Sequence, residues 1–455
     1  MTRIRKGLDL PLSGPPDQAA PPATPLVSQV ALLAGDYPGM KPTLAVSEGD
    51  PVTLGQVLFT DKRTHGVRYT APAAGTVSAI NRGEKRKFES LVIQLDGDDS
   101  EGADTFSHYP AAALRSLDRT AAHDNLIASG LWTALRTRPF NKVPAPGTAP
   151  AALFVTAIDT EPLAPDPLPV INARSGDFTA GIHVLSRLTA GPVYICKKKG
   201  APLPVPDGSN IHTRDFAGPH PAGLPGTHIH FLHPAGAATT VWHIGYQDVL
   251  AVGHLFLTGQ LDTSRSIALA GPSFTKPRLV KTRIGASIED LARDNLITAD
   301  GNRPRVISGS PLNGHTAAGH HAFLGRFHRQ VTALPDESPR EFLSWLLPGF
   351  KKFSSKPAFL GAVLNRSKPR ALTTSTGGSP RAMVPVGAYE NVMPLDILPT
   401  QLLRALASDD DDEAAGLGAL ELAEDDLALC SYVCPGKEDW GTHLRNCLDR
   451  LEKDA

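Results

Sequence analysis

The sequence has few cysteines and no excess charge of either sign. Four cysteines, at positions 196, 430, 434 and 447, occur among 455 residues, which argues against a disulfide framework and predicts free thiols. The net charge is −1, and no block of Lys or Arg dominates. Because electrostatic binding of nucleic acid requires clustered cations, we expect protein or small-molecule partners and no nucleic acid.

Long hydrophobic runs are also missing. One of the longest apolar stretches, residues 248–259, has about half of the roughly 20 residues needed to span a bilayer. The basic start at residues 1–7 is not followed by the apolar segment of a signal peptide. We therefore expect a cytoplasmic chain that reaches a membrane only through a partner.

Length and composition predict several domains with short elements. At 455 residues the chain is long enough for three or four domains of roughly 100–200 residues each. Glycine and proline number 41 each, and both favour turns. The fold class that we predict is a multidomain mixture of α/β and α+β. Its four domains have the boundaries 1–104, 105–260, 261–333 and 334–455.

Residues 41–96 predict a small barrel. Short alternating strands are separated by Gly-Asp and Ala-Pro turns, a pattern that resembles the biotinyl/lipoyl type of barrel sandwich. Carrier members of that group bear their cofactor on a lysine at a hairpin tip, and Lys62 lies close to that place. The stretch from Lys62 to Ala71 is longer than the carrier pattern, and Arg-Thr-His at 63–65 replaces small residues. Both a structural barrel and a carrier module modified at Lys62 stay open.

Residues 105–260 predict a Rossmann-like α/β unit. Two apolar runs of buried-strand length, 151–158 and 192–196, flank a possible helix at 180–189. From 263 to 333 the pattern is again strand-like, with one short helix at 287–295. At the start of that helix, Ser287 precedes Asp290 as a possible capping box. Strands with one short helix predict a small β-grasp domain of the SLBB type there.

The last predicted domain, residues 334–455, is helical. Residues 398–407 form a helical stretch, and the acidic run 409–413 predicts a solvated loop. A calcium site is the alternative, although the run lacks the alternation and glycine of a calcium loop. Further on, Cys430, Cys434 and the following proline match the second half of the bacterial ferredoxin motif.

This half motif is a remnant, because the positions of its first two ligands fall on Glu424 and Leu427. An iron–sulfur cluster needs four ligands in fixed geometry, and Cys430 and Cys434 supply two. Cys447 is a possible third, but no fourth is obvious. We therefore expect reduced structural thiols and no metal.

Five strings spread along the chain carry a family resemblance. They are residues 4–11, 129–140, 218–231, 241–248 and 430–436. In that order they resemble the A subunit of the Na⁺-translocating NADH:quinone oxidoreductase over nearly the whole chain. The resemblance implies a six-subunit complex of the bacterial inner membrane that passes electrons from NADH to ubiquinone and exports Na⁺. It also implies a peripheral position on the cytoplasmic face, beside the other subunits, B to F, and chiefly beside the membrane-embedded B subunit.

The same family is similar to the C subunit of the Rnf complex and, more remotely, to the flavin-binding subunit of complex I. Those relatives bind flavin or nucleotide through a loop resembling G-x-G-G-A-x-F-P, in which backbone amides approach phosphate. Here residues 131–139 read LWTALRTRP. Because Trp132, Arg136 and Arg138 crowd that backbone, we expect the flavin and NADH site to be closed. The resemblance leaves FAD, FMN, riboflavin, iron–sulfur and ubiquinone to other subunits.

Two further sets of residues are candidate sites. His228 and His230 share a face if they lie on a strand, which is a start for zinc, as is the pair His320 and His321. Without an acidic or thiol partner nearby, we expect polar residues at strand ends and no metal.

A quinone head needs donors for its two carbonyls and an apolar wall, and the segment that offers both supplies Trp132, Arg136, Arg138 and Phe140. These are candidate quinone or subunit contacts; the alternative is that they fill the vacated flavin pocket. We expect no catalytic residue. The predicted role is a scaffold that docks on the B subunit and shapes quinone access. The alternatives are a chain with its own quinone site that takes part in reduction, and the carrier module.

Overall fold

The computed structural model describes residues 1–20, 22–97, 99, 102–298, 303–336, 348–350, 352–355, 358–364 and 368–454. Strands in these ranges form four sheets, of six, five, four and three strands. Part of the predicted domain 334–455 lies outside the described residues.

The first unit is a barrel made of two small sheets. The strands in this part of the chain are β1 (Thr2–Arg3), β2 (Gln29–Leu33), β3 (Pro42–Leu44), β4 (Pro51–Val52), β5 (Val57–Asp61), β6 (Arg68–Thr70), β7 (Gly75–Arg82) and β8 (Phe88–Leu95). They pair in the orders β2-β8-β7-β4 and β3-β5-β6. Aromatic rings fill the interior, where Phe59 stacks on Tyr69 at 4.6 Å between centroids and meets Phe88 edge-on at 5.4 Å. The predicted barrel sandwich is confirmed.

The second unit is an α/β layer structure. Its elements are α1 (Arg119–Ala128), β9 (Arg136–Arg138), β10 (Leu153–Ala157), α2 (Pro167–Ala173), α3 (Ser175–Ser186), β11 (Val193–Lys198), β12 (Ile211–Ala217), α4 (Pro225–Leu232), β13 (Val241–Gly245) and α5 (Tyr246–Thr258). The sheet order is β1-β12-β11-β10-β13-β9, and the pairings are parallel except that of β13 with β9. The central strand β10 is buried throughout, as a parallel strand covered on both faces should be.

Two glycines bring α3 and α5 into close contact. A Cβ added at Gly181 would stand 2.1 Å from the carbonyl oxygen of Val249, and one at Gly253 would stand 1.8 Å from that of Asp177. Any side chain there would push the two helices apart. Glycine therefore sets the helix separation on this face of the sheet.

The first strand, β1, joins the beginning of the chain to the α/β sheet. Thr2 lies opposite Phe216 in the parallel pairing with β12. A few residues later, Leu8 is buried in the hydrophobic cluster of the C-terminal helices. Residues 2–8 thus pack on the second and fourth units, although the predicted division places them with the first.

The third unit is a small sheet crossed by one short helix. Its elements are β14 (Ser264–Ala270), β15 (Arg278–Arg283), α6 (Ile288–Ala292), β16 (Arg305–Ser308), β17 (His315–Thr316) and β18 (Gln330–Leu334). The order is β15-β14-β18-β16-β17, with β14 and β18 parallel at the centre. At the start of α6, the Ser287 hydroxyl accepts a hydrogen bond from the Asp290 N–H at 3.3 Å. The Asp290 carboxylate turns instead to Ser28, so only half of the predicted capping box forms.

The C-terminal unit is helical. Its described helices are α7 (Leu360–Leu364), α8 (Pro399–Ala407), α9 (Asp411–Gly416), α10 (Ala428–Val433) and α11 (Trp440–Asp454). The acidic run 409–413 is not the predicted solvated loop, because it starts α9. Asp410 accepts a hydrogen bond from the Glu413 N–H at 3.0 Å, and Arg450 pairs with Asp409 and Asp411 at 2.9 and 2.5 Å. Carboxylates stabilise a helix at its N-terminus, which explains why α9 begins within the acidic run.

Candidate functional site

A cavity of about 610 Å³ lies where the four units meet. The barrel, the segment 134–141, the α/β unit, the small sheet and the turn before α10 all contribute to its wall. The charged residues of its lining include Asp36, Arg136, Asp159, Asp248, Arg326 and Asp425.

The cavity opens at the carboxyl ends of β10 and β13. Strand β10 pairs with β11 on one side and with β13 on the other, so the connections diverge between β10 and β13. Diverging connections leave a crevice at this edge, which is the usual ligand position in open α/β sheets. Thr156 and Asp159 at the end of β10, and Gly245 and Gln247 at the end of β13, line it. The fold thus places the cavity where a ligand is most expected.

Ion pairs brace the cavity wall. The Arg329 Nε lies 2.8 Å from an Asp159 oxygen. Arg265 and Arg326 both reach Asp248, at 2.5 and 2.7 Å. Burial alone disfavours the charge on Arg326 and Arg329, but the neighbouring carboxylates outweigh it and raise the pKa of both guanidinium groups. The wall therefore carries fixed charges held in pairs.

Arg136 is the cavity arginine without such a pair. Its Nη1 donates to the Asp36 carbonyl oxygen at 2.7 Å, its Nε donates to Asn141 at 3.2 Å, and its guanidinium carbon lies 4.3 Å from the centre of the Phe327 ring. Burial lowers the pKa of Arg136 to about 10, so the side chain keeps its charge at neutral pH. Among the described residues, no carboxylate lies within ion-pair distance of it. Arg136 is thus a cation available to the cavity.

Glu161 is a neutral acid in the cavity wall. Burial, and then the nearby Asp159, raise the pKa of Glu161 to about 8. Its carboxyl oxygens accept hydrogen bonds from the Ser310 hydroxyl at 2.6 Å and the Asn313 amide at 3.0 Å. At neutral pH the carboxyl group is mostly protonated and can donate one hydrogen bond.

Burial also favours the uncharged forms of other cavity groups. It raises the pKa of Asp36 to about 6 and the pKa of Asp425 above its usual value. It lowers the pKa of His243 well below its usual value and that of His328 to about 3. His243 and His328 are therefore neutral, and the arginines carry positive charge in the site.

Trp132, a predicted site residue, does not reach the cavity. Its side chain is 1% exposed and belongs to the main hydrophobic core. The indole N–H donates to the Pro144 carbonyl oxygen at 2.8 Å, and the ring meets Trp242 edge-on at 5.4 Å. These contacts satisfy Trp132 within the α/β unit.

Arg138 and Phe140 also lie outside the cavity, so only Arg136 of the four predicted residues lines it. Arg138 is buried and donates to Asn141 at 2.5 Å; it lies 3.0 Å from a ring nitrogen of His243 and 3.7 Å from Asp426. Phe140 packs against the C-terminal helices. The structure therefore does not bring the four residues together into one site.

The most informative cavity residues were not predicted. Asp159 and Glu161 directly follow the apolar run of β10, and Asp248 follows β13. Acidic residues just after buried strands are a signal that sequence reasoning could have used. No comparable local signal marks Arg326, because it reaches the cavity from the third unit.

The two motif cysteines and Cys447 lie in the C-terminal core. Cys430, Cys434 and Cys447 are buried and free, and the Tyr389 hydroxyl lies 3.1 Å from the Cys434 sulfur. Burial raises the pKa of Cys447 to about 12 and also raises the pKa of Cys430. Thiols held in the protonated form are poor metal ligands. The ferredoxin ancestry of the motif stays a prediction.

The predicted strand placement of His228 and His230 is wrong. Both lie on α4, which starts at Pro225, and proline is favoured in the first turn of a helix. Residues two apart do not share a helix face. His230 also has an acidic partner that the sequence did not reveal, since its Nδ1 lies 3.0 Å from Glu421. Burial lowers the pKa of His228 to about 3.

The described ranges contain neither a metal-ligand cluster nor a helix that could span a membrane. No cluster of three or more His, Cys, Asp or Glu side chains suited to a metal ion occurs in them, and His320 and His321 lie on an exposed turn. None of the helices in the described ranges is long and apolar enough to cross a membrane. Lys62, the candidate carrier lysine, is exposed beside Asp61 at the end of β5.

Three family models match the chain. They are described as the NqrA N-terminal barrel-sandwich hybrid domain over residues 2–96, the NqrA second alpha/beta domain over 117–261, and the NQRA C-terminal domain over 266–319. Together they support the barrel-sandwich, α/β and SLBB-like units.

Curated relatives are similar to the chain from end to end. The A subunit of the Na(+)-translocating NADH-quinone reductase from Shewanella amazonensis is 54% identical over 100% of both chains. The protein of the same name from Pseudomonas aeruginosa PAO1 is 56% identical, again over 100% of both chains. A solved NAD⁺-reducing NiFe hydrogenase is 14% identical over 76% of this chain and 67% of its own, with a TM-score of 0.38, too low to support an argument.

Proposed function

Since the chain belongs to the family formed by the A subunit of the Na(+)-translocating NADH-quinone reductase, we propose that it is the scaffold that docks on the membrane-embedded B subunit and shapes quinone access. The chain is a component of that sodium-transporting oxidoreductase complex. We place it at the cytoplasmic face of the bacterial inner membrane, as a peripheral neighbour of the other five subunits, B to F.

The observation that carries the scaffold role is the filling of the two places where similar proteins carry redox groups. In the segment that resembles a flavin loop, Trp132 and Arg138 are each 1% exposed. In the half ferredoxin motif, Cys430 and Cys434 are packed in an apolar cluster. Such packing suits neither a flavin phosphate, which needs open backbone amides, nor a cluster, which needs thiolates.

From this packing we propose that the chain holds no redox cofactor. The FAD, FMN, riboflavin and iron–sulfur groups of the complex then belong to other subunits. The α/β unit is, in this view, a Rossmann-like domain whose cofactor loop has closed, and the C-terminal unit is a ferredoxin remnant.

A visible absorption spectrum tests the cofactor proposal. The chain, expressed alone and purified, is expected to show only the near-ultraviolet absorbance of its aromatic residues. Flavin or iron–sulfur bands that persist after chelation and gel filtration would contradict the proposal. The intact complex serves as the positive control, because it should show these bands; under the proposal they come from the other subunits.

Cross-linking of the intact complex tests the docking proposal. Lysine cross-links analysed by mass spectrometry should connect this chain with the B subunit more often than with any other membrane component. A full set of cross-links that omits the B subunit would rule out docking there.

A quinone site in the cavity is the second candidate function, and the position of Arg136 favours it. Arg136 is a charged donor that lies over the Phe327 ring, and the buried Arg326 Nη1 lacks a hydrogen-bond partner among the described residues. Two donors beside an aromatic wall meet the needs of a quinone head. The volume of about 610 Å³ is within the range of small-molecule pockets.

Titration of the isolated chain with a short-chain ubiquinone analogue decides this candidate. Saturable binding that Arg136→Gln weakens would support it, and binding left unchanged by Arg136→Gln would exclude the cavity. Trp132→Ala would not test the cavity, because Trp132 lies in the core. Arg119→Gln is the matched control, since Arg119 is exposed on α1 away from the cavity.

The carrier alternative concerns Lys62 alone. Intact mass spectrometry of the chain from the native complex should give the unmodified mass. A mass increase that maps to Lys62 would restore the carrier role.

A further inference from the structure

One stretch of the C-terminal unit has an unusual charge. Residues 342–389 contain no Asp or Glu, although the chain has 46 acidic residues in all. The same stretch has Lys or Arg at 351, 352, 356, 366, 368, 370 and 381. In a chain of net charge −1, this is a local concentration of positive charge.

The same stretch exposes apolar side chains. Phe350 is 59% exposed, Val363 is 58% exposed and Leu364 is 64% exposed, and Leu360 at the start of α7 is also exposed. These four residues define the α7 surface. Of the eleven large apolar residues found exposed in the described ranges, six come from residues 342–389. Single exposed apolar residues are ordinary, whereas a group marks an interaction surface.

The α7 surface is held against the body of the protein. The Leu360 N–H donates to the Pro348 carbonyl oxygen at 2.9 Å, which closes the turn in front of α7. The Arg370 side chain donates to the Gly361 carbonyl oxygen at 2.8 Å, and the Arg370 N–H donates to that of Pro11 at 2.8 Å. Phe353 packs on the C-terminal core. The backbone around α7 is thus attached while its apolar side chains point outwards.

We propose that the α7 surface binds directly to the anionic phospholipid headgroup layer of the membrane. This inference rests on the proposed position of the chain at the membrane and adds a lipid contact to the contact with the B subunit. Apolar side chains enter the boundary between headgroups and acyl chains, while the exposed Lys368 faces the negative headgroups.

The composition favours lipid over a protein partner. Lysine is depleted in the core of protein interfaces, but residues 351, 352, 356 and 368 are all lysines. An anionic leaflet attracts each such cation close to its surface. The missing acidic residues also remove the repulsion that a negative surface would impose.

Flotation of the isolated full-length chain with vesicles tests the proposal in the absence of the B subunit. The chain should bind vesicles made of equal parts phosphatidylglycerol and phosphatidylcholine and should not bind pure phosphatidylcholine. Lys368→Gln should weaken binding about fivefold. The double change Val363→Ser and Leu364→Ser should weaken it about tenfold or more. High salt should weaken it as well, because salt screens the cations.

Leu26→Ser is the matched control, because Leu26 is 95% exposed but lies outside the basic stretch; its binding should equal that of the unchanged chain. Thermal unfolding of each variant checks that it is folded.

Equal binding to both vesicle types, or binding unchanged by the double substitution, overturns the proposal. A double variant that binds vesicles normally but no longer co-purifies with the B subunit would assign the α7 surface to a protein interface instead. Failure of docking on the B subunit, seen by cross-linking, leaves the vesicle result unaffected.

Discussion

Buried carboxyl groups are the residues whose ionisation is most altered by the fold. The pKa is raised to about 8 for Glu161, and to about 6 for Asp36 and Asp426, mainly by burial. A carboxyl group that holds its proton more tightly when folded stabilises the chain at low pH. That stability is lost as the pH rises through the folded pKa. Asp36 and Asp426 therefore lower the stability increasingly between about pH 4 and pH 6, and Glu161 does so up to about pH 8.

Glu161→Gln should flatten this pH dependence. Glutamine keeps the neutral shape of the protonated acid, so the variant should gain stability over the native chain as the pH rises from 5 to 8. The gain should be roughly 2–4 kcal/mol, at about 1.4 kcal/mol per pKa unit. Urea unfolding at both pH values measures it. The exposed Glu84→Gln should change little, and an equal difference at the two pH values would refute the assignment.

Arg138→Met tests whether the predicted site arginine is structural. The change leaves the buried Asp426 carboxylate without its nearest cation and removes the 2.5 Å hydrogen bond to Asn141. Loss of one partner of a buried pair costs about 3–5 kcal/mol, which urea unfolding should reveal. Arg68→Met, on an exposed part of β6, should cost less than about 0.5 kcal/mol. Equal effects of the two changes would show that Arg138 is not needed for folding.

Among the elements, the contact of α3 with α5 gives the sharpest test. Gly253→Ala should destabilise the chain by at least about 1–3 kcal/mol, because the new Cβ would overlap the Asp177 carbonyl oxygen. Helix propensity alone predicts the opposite, a gain of up to about 1 kcal/mol.

Gly176→Ala is the matched control, since no atom lies within 4 Å of a Cβ built there on helix α3. It should be neutral or slightly stabilising in the same unfolding assay. If Gly253→Ala also proves neutral, the helices are not held by that contact.

Sequence patterns predicted the elements that depend on local signals. The run at 151–158 became β10 because a buried parallel strand is apolar along its length, and Ser287 caps α6 as expected. The patterns failed where two signals compete. His228 and His230 alternate with apolar residues as in a strand, yet Pro225 starts a helix there. The charge of the acidic run 409–413 predicts a loop, although carboxylates also start helices.

For the whole molecule, the cavity could not be derived from the sequence because its wall is assembled from all four units. The segment 129–140 predicts Arg136 as a site residue, and the place of Asp159 just after β10 is a further local signal. The cavity itself depends on contacts between residues far apart in the chain, such as the Arg326 N–H with Asp36 at 2.9 Å. Such contacts leave no local pattern.

Arg326→Ala should therefore loosen the arrangement of the units. The Arg326 side chain reaches Asp248 of the α/β unit at 2.7 Å, and alanine removes this contact, whereas it keeps the backbone hydrogen bond to Asp36 of the barrel. We expect a loss of about 2–4 kcal/mol and faster cleavage between units in limited proteolysis. Arg404→Ala, on the exposed face of α8, should leave both unchanged. Unaltered proteolysis in the first variant would show that other contacts hold the units.

The strand β1 pairs with a strand that lies far from it in the sequence, and this affects the order of folding. Thr2 pairs with Phe216, so β1 is synthesised before its partner strand β12 and can pair only after β12 has been made. Until β1 adds to the sheet, the edge of β12 stays unpaired, and an unpaired edge can associate with other chains. Contacts so distant in sequence also slow folding. The barrel can consequently be completed early. The α/β sheet is completed late, when β1, which was synthesised before the other strands of that sheet, adds to its edge.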